Sequence, residues 1–377
     1  MNSLLRSLVI ISGMATALPI VSFVSTSRAA EIPVYIGTYT KAGGAQGIYF
    51  SRYDTETGKV STPDLAVATK SPSFLVVHPN GKSVYAVNEE GGGSVSAFAV
   101  DPGGKLHEIN REQSLGNGPT HLAIDREGKN VLVANYGGGS IAVLPVAEDG
   151  SVRKVAGFIQ HKGTGPDPKR QEGPHAHSVY FDATNAHVFT CDLGLDKIFI
   201  YRFNPAESSL SPADPPFAST APGAGPRHLA FSAKGDFVYC VNEMANTVTV
   251  FAREGTKAIL KEVQTISTLP SDFKGNSSTA EIMLHPNGKY LYVSNRGHDS
   301  IATFNVDADT GKLTAAGYTP TQGAHPRYFG IDPAGKFLVA ANRDSNNIVS
   351  FRIDDAGKLT HASTTECQSP VCLLFVP

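Results

Sequence analysis

Along most of this chain apolar and polar positions alternate in short runs broken by turns. "PSFLVVHPNGKSVYAVNE" shows the unit: an apolar run, a polar turn, and a second apolar run that ends near Asn88. A period of two over four to eight residues predicts half-buried β-strands, and turn pairs such as Asn80-Gly81 predict hairpins. Long stretches with a 3.6-residue period are missing, so helices are not expected. The unit returns as "PTHLAIDREGKNVLVANY", "AHSVYFDATNAHVFTCDL", "PRHLAFSAKGDFVYCVNE", "AEIMLHPNGKYLYVSNR" and "PRYFGIDPAGKFLVAANR". Each is followed by a Gly- or Asn-rich turn and a third apolar run.

A seventh opening, "PVCLLFV", begins at Pro370 and lacks its continuation. The missing part lies at the other end, in "PVYIGTYTKAGGAQGIYFSRYD", which carries second and third strands without a first. One unit assembled from both ends accounts for both fragments. The openings recur about every 50 residues, the spacing of four-stranded propeller blades. The expectation is an all-β, seven-bladed propeller of antiparallel blades over residues 30–377, closed by pairing its N- and C-terminal strands.

In such a blade the start of the first strand and the end of the second meet at one face. Aligned copies place Ser73, Thr120, His177, Arg227, Glu281, Arg327 and Val371 after the openings. A second ring holds Tyr39, Glu89, Tyr136, Leu193, Glu243, Arg296 and Arg343. Ionisable residues gather in consecutive copies rather than scattering, as in a polar ligand site at a concave mouth. Two long connections, "HKGTGPDPKRQEGPHA" and "TLPSDFKGNSST", lead into first strands and therefore belong to the same face.

Composition narrows the function. A formal charge of −2 argues against electrostatic binding of nucleic acid or an anionic membrane. Residues 1–29 combine Arg6, an apolar run and a small-residue end at Ala29. They are read as a secretory signal peptide whose removal leaves a periplasmic or secreted protein with charge −4 and no membrane segment. Cys191 and Cys240 sit in apolar strand patterns and are read as buried packing, whereas Cys367 and Cys372 are a candidate disulfide pair. Asn88, Asn135, Asn242, Asn295 and Asn342 are read as turn-capping residues, and His78 and His285 as turn packing. His121 and His228 follow the mouth positions by one, so alternation turns them into the blade interfaces. "HAH" at 175–177 has no third ligand at a matching position, so no metal site is assigned.

"GPRHLAF", "HSVYFD", "LYVSNR", "HPRYFGID" and "VYIGTYT" resemble the lactonase family of seven-bladed propellers, which includes bacterial 6-phosphogluconolactonases and fungal carboxymuconate lactonizing enzymes. The resemblance spans the mature chain. It implies a metal-independent site, without a cofactor, that acts on the ester bond of a small-molecule lactone of anionic or sugar-derived type. The family's catalytic His, Arg, Glu and Arg correspond to His177, Arg227, Glu243 and Arg296, all in the rings above. Glu281 stands where some relatives have Asp, and Arg327 matches; with Arg343 they form the expected substrate-binding set. His177 is expected to act as general base, with Glu243 orienting it or replacing it. Arg227 and Arg296 are expected to stabilise the oxyanion. A lactone-forming cyclase and a non-catalytic exported propeller stay open as alternatives.

Overall fold

Strands account for nearly all the regular structure of the computed structural model, which describes residues 31–40, 44–254 and 258–376. Within these residues, 28 strands form seven four-stranded antiparallel sheets, with one short 3-10 turn at Leu193–Leu195. None of the described elements is a helix long and apolar enough to cross a membrane. The proposed signal peptide at 1–29 lies outside the described residues.

Each blade runs outward from an inner strand at the channel to an outer strand at the rim. The predicted mixed blade is present. Its inner strand is Pro370–Phe375, followed outward by Glu31–Thr38, Gly47–Asp54 and Asp64–Ala68. Val34 pairs with Phe375, Tyr35 with Leu374 and Ile36 with Leu373, so the ring is closed by the two chain ends. Deleting residues 370–377 should therefore open the ring and abolish cooperative unfolding. A truncated protein with the full-length thermal transition by circular dichroism would contradict this closure.

Each pair of neighbouring blades shares a buried apolar core. Phe189, Cys191, Ile198 and Ile200 of one blade meet Leu229, Val238, Cys240 and Phe251 of the next, and the six other interfaces follow the same plan. Alternation explains it: one face of every middle strand looks forward and the other back, so both are buried, as in Ser83–Asn88 and Asn130–Asn135. Outer strands such as Leu106–Gln113 bury fewer positions and carry charge on their exposed edge, which discourages edge-to-edge pairing. Cys191 and Cys240 pack as expected. The pairing considered for Cys367 and Cys372 is absent: both thiols are buried and free. Cys367 packs in the core between the last blade and the mixed blade, while Cys372 packs in the next core round.

The asparagines and turn histidines are struts. Asn295 donates to the Thr268 carbonyl and Asn342 to the Thr321 carbonyl, tying second strands to the connections beside them. His285 accepts the Asn287 amide at Nδ1 and donates from Nε2 to the Gly335 carbonyl of the following blade; His78 does the same toward Gly128. A β-carbon at Gly128, where φ is +73°, would lie 2.2 Å from the His78 ring, so this contact requires glycine.

Irregularity is concentrated at the heads of the inner strands. Pairing jumps from Ala176 to Ser178, from Pro226 to His228 and from Pro326 to Tyr328, leaving His177, Arg227 and Arg327 without cross-strand partners. The Thr279-to-Ile282 jump does the same for Glu281. These are β-bulges, which re-aim side chains and reset the alternation that follows. Hydroxyls of adjacent strands hold them: Thr120 donates to the His177 carbonyl and Ser178 to the Arg227 carbonyl.

Candidate active site

The bulges gather side chains from different blades at one mouth of the channel. At the centre is Glu243, at the end of Phe237–Asn242 and only 6 % exposed. Arg227 Nε donates to its Oε2 at 3.0 Å, and Arg296 Nη2 lies 3.0 Å from the same oxygen. Arg170 Nη2 donates to Oε1 at 2.7 Å. Backbone carbonyls fix the two inner guanidiniums further: Arg227 donates to Ala280 and Arg296 to Thr279, each at 2.6 Å. Arg296 Nε is buried without a partner.

Beside this cluster Arg327 lies over the Tyr39 ring, 5.1 Å from its centroid, and 3.8 Å from Glu89, which accepts the Tyr39 hydroxyl at 2.7 Å. Tyr136 accepts from Arg170 and packs edge-on to His177, with centroids 5.4 Å apart. His177 is buried and its Nδ1 has no partner among the described residues. His175 packs on the same tyrosine: its ring stacks on Tyr136 and its Nδ1 donates to the Tyr136 carbonyl. No group of three His, Cys, Asp or Glu among the described residues is placed to hold a metal.

Burial and charge set the protonation states. Burial alone would raise Glu243, but Arg296, Arg227 and Arg170 outweigh it and hold the carboxyl well below its ordinary range. Glu243 is therefore a fixed anion with both oxygens engaged, suited to positioning arginines and poor as a base. His177 is pushed well below the ordinary histidine range, first by burial and then by Arg227, His228, Arg327 and Arg296. It is neutral at pH 7, with a ring nitrogen free to accept a proton, and is a weaker base than a solvated imidazole. Burial, Arg327 and Arg296 lower Arg227 to about 10, still charged at neutral pH. Four arginines against Glu243 and Glu89 leave this mouth with an excess of two positive charges.

Thus the structure brings His177, Arg227, Glu243, Arg296 and Arg327 to one hollow. Arg343 stands at the rim, turned onto its neighbour Asp344 at 2.6 Å. Glu281 lies one layer deeper, where its carboxyl group is 3.0 Å from His228 Nδ1. The placement of His121 and His228 in the blade interfaces is corrected. His228 stands in the channel, ringed by Phe74, His121, His177 and Tyr180 from three other blades. The extra residue at Arg227 resets the alternation, so consecutive side chains share the channel side. Arg170 was missed as an individual residue. Its signal was its place in the first long connection, already assigned to this face.

Residues 33–375 match the family model for the seven-bladed β-propeller lactonases. The chain belongs to that family. The 6-phosphogluconolactonase of Bacillus subtilis (strain 168) is 38 % identical over 346 residues, covering 91 % of this chain and 97 % of the relative. A protein named 6-phosphogluconolactonase from Formosa agariphila is 35 % identical, covering 80 % of this chain and 86 % of its own. The solved structure of a periplasmic gluconolactonase from Pseudomonas aeruginosa superposes with a TM-score of 0.88 at 36 % identity, covering 92 % of this chain and 99 % of that one. The seven-bladed fold of that family is thus present in this chain.

Proposed function

We propose that this enzyme hydrolyses the ester bond of a sugar lactone by attack of water on the ring carbonyl. The observation that carries the reading is the neutral, buried His177 beside guanidiniums that Glu243 and backbone carbonyls hold in place. Hydrolysis needs a base for the water and fixed positive charge where the carbonyl oxygen becomes an anion. His177 takes a proton from the attacking water. Arg227 and Arg296 face the developing oxyanion with donors that need no reorganisation. Glu243 positions them. The ring oxygen leaves as the alcohol of the opened hydroxy acid. The excess positive charge suits both the anionic intermediate and the carboxylate product. The relatives named 6-phosphogluconolactonase and gluconolactonase support this substrate class.

Arg327 and Arg170 are the guanidiniums available for an anionic substituent distal to the ring. The signal-peptide reading of residues 1–29 and the periplasmic neighbour support an exported enzyme, which meets unphosphorylated or carboxylated lactones. The purified mature protein is to be assayed for acid release, above the spontaneous rate, on gluconolactone and on phosphorylated and carboxylated lactones. Absence of acceleration on all of them would remove the reading. With an anionic lactone, Arg327→Ala should raise KM about tenfold or more with little change in kcat, the cost of one lost charged contact. With an uncharged lactone KM should hold. Equal effects on both would exclude Arg327 from binding that substituent.

A further inference from the structure

Opening a lactone at neutral pH releases a proton. The water oxygen bonds to the carbonyl carbon, the ring C–O bond breaks, and the ring oxygen takes one of the two water protons. The other is freed when the new carboxylic acid ionises. Whatever base receives it must discard it before the next turnover.

We propose that His228 and Glu281 form a proton relay that carries this proton from His177 down the channel to solvent on the opposite face. The inference rests on the hydrolytic reading given above. Its geometry is continuous. The His177 and His228 rings lie 5.2 Å apart between centroids, and each has one buried ring nitrogen without a partner, Nδ1 and Nε2 respectively. A rotated ring or a single shared water spans such a gap. His228 Nδ1 is 3.0 and 3.1 Å from the two oxygens of Glu281. Glu281 in turn lines a cavity of about 380 Å³ with His121, Tyr180 and Tyr328. That cavity runs past Phe231, Leu284 and Ile331 at the far ends of three inner strands, where these side chains meet solvent. Phe74, which also lines the cavity, packs against His121, His228 and Tyr328 from three blades.

A purely structural pair would need neither an unpartnered nitrogen on its catalytic side nor a cavity open to solvent on the other. The groups facing Glu281 are His228, Arg227, Arg327, Tyr180, Tyr328, His121 and Cys372. Burial pushes Glu281 up to about 8, against the pull of Arg227, the Ile282 amide and Arg327. It therefore exchanges a proton close to neutral pH. His228, held well below the ordinary histidine range by burial and by Arg227, passes the proton on without storing it. An unfolded Glu281 ionises near 4.5 and the folded one only near 8. Wild type should lose stability relative to Glu281→Gln as pH rises between those values, and keep a constant difference above them.

The test is steady-state hydrolysis by wild type and Glu281→Gln in dilute and in concentrated imidazole buffer. The relay requires that Glu281→Gln lose about tenfold or more of kcat in dilute buffer with KM kept. Added imidazole should restore turnover in the variant and leave wild type unchanged. The variant should also show a larger solvent deuterium isotope effect on kcat. An inactive wild type would remove the hydrolytic reading itself. An active wild type with full turnover by Glu281→Gln in dilute buffer would overturn the relay alone, as would a loss that imidazole does not restore. Should Glu281→Gln fail to fold, Glu281→Asp must retain buffer-independent turnover while His228→Asn loses it; any other pairing also overturns the relay.

Discussion

Arg227→Ala should lower kcat/KM for lactone hydrolysis by roughly 10²- to 10³-fold, the cost of removing one preorganised oxyanion partner. The expectation follows from how the side chain is held. Arg227 is 2 % exposed, donates to Glu243 and to the Ala280 carbonyl, and heads its strand as the unpaired residue of a bulge. Its guanidinium is thus fixed before substrate arrives, and no reorganisation is needed as charge develops. Lysine keeps the charge but lacks the planar fork that engages Glu243, a backbone carbonyl and a substrate oxygen together. Arg227→Lys should therefore recover only part of the loss. Thermal denaturation run beside the kinetics separates a chemical loss from unfolding. A well-folded Arg227→Ala enzyme with wild-type kcat/KM would remove this arginine from the mechanism.

Glu243→Ala should cost about 3–5 kcal/mol of folding stability, because it breaks a buried ion cluster by removing one sign of charge only. Arg227 and Arg296 would remain buried at 2 % and 8 % exposure, without the carboxylate that both of them face. Glu243→Gln should be milder, since the amide oxygen still accepts a hydrogen bond. The pH dependence has a definite sign. Arginine contacts depress the folded-state pKa of Glu243, so its stabilisation is complete above the ordinary carboxyl range near 4.5 and is lost as pH falls below it. Urea titrations of wild type and Glu243→Gln should converge on acidification. Equal midpoints at neutral pH for all three proteins would show that the arginines do not depend on this carboxylate.

The fold was legible because its signals are local. A period of two, turn pairs such as Asn80-Gly81 and an opening about every 50 residues each follow from short-range geometry. The split blade was legible from arithmetic, as each end of the chain lacked what the other supplied. The mouth was legible in part for the same reason: equivalent positions in a ring face the same way, which brought together His177, Arg227, Glu243, Arg296 and Arg327. Where alternation was counted through a bulge it failed. One extra residue at Arg227 turned His228 from the blade interface into the channel.

What the amino-acid order determined by itself is therefore the repeating architecture, its closure, and the face on which ionisable residues collect. Tertiary structure alone decided which groups touch. Arg170 reaches Glu243 across 73 residues, and His228 reaches Glu281 across 53. Backbone patterning is governed by neighbours two to four residues apart and repeats from copy to copy. Charge pairing and pKa depend on distances of a few ångströms between blades. Those distances exist only after the ring has closed and each bulge has set the direction of its side chain.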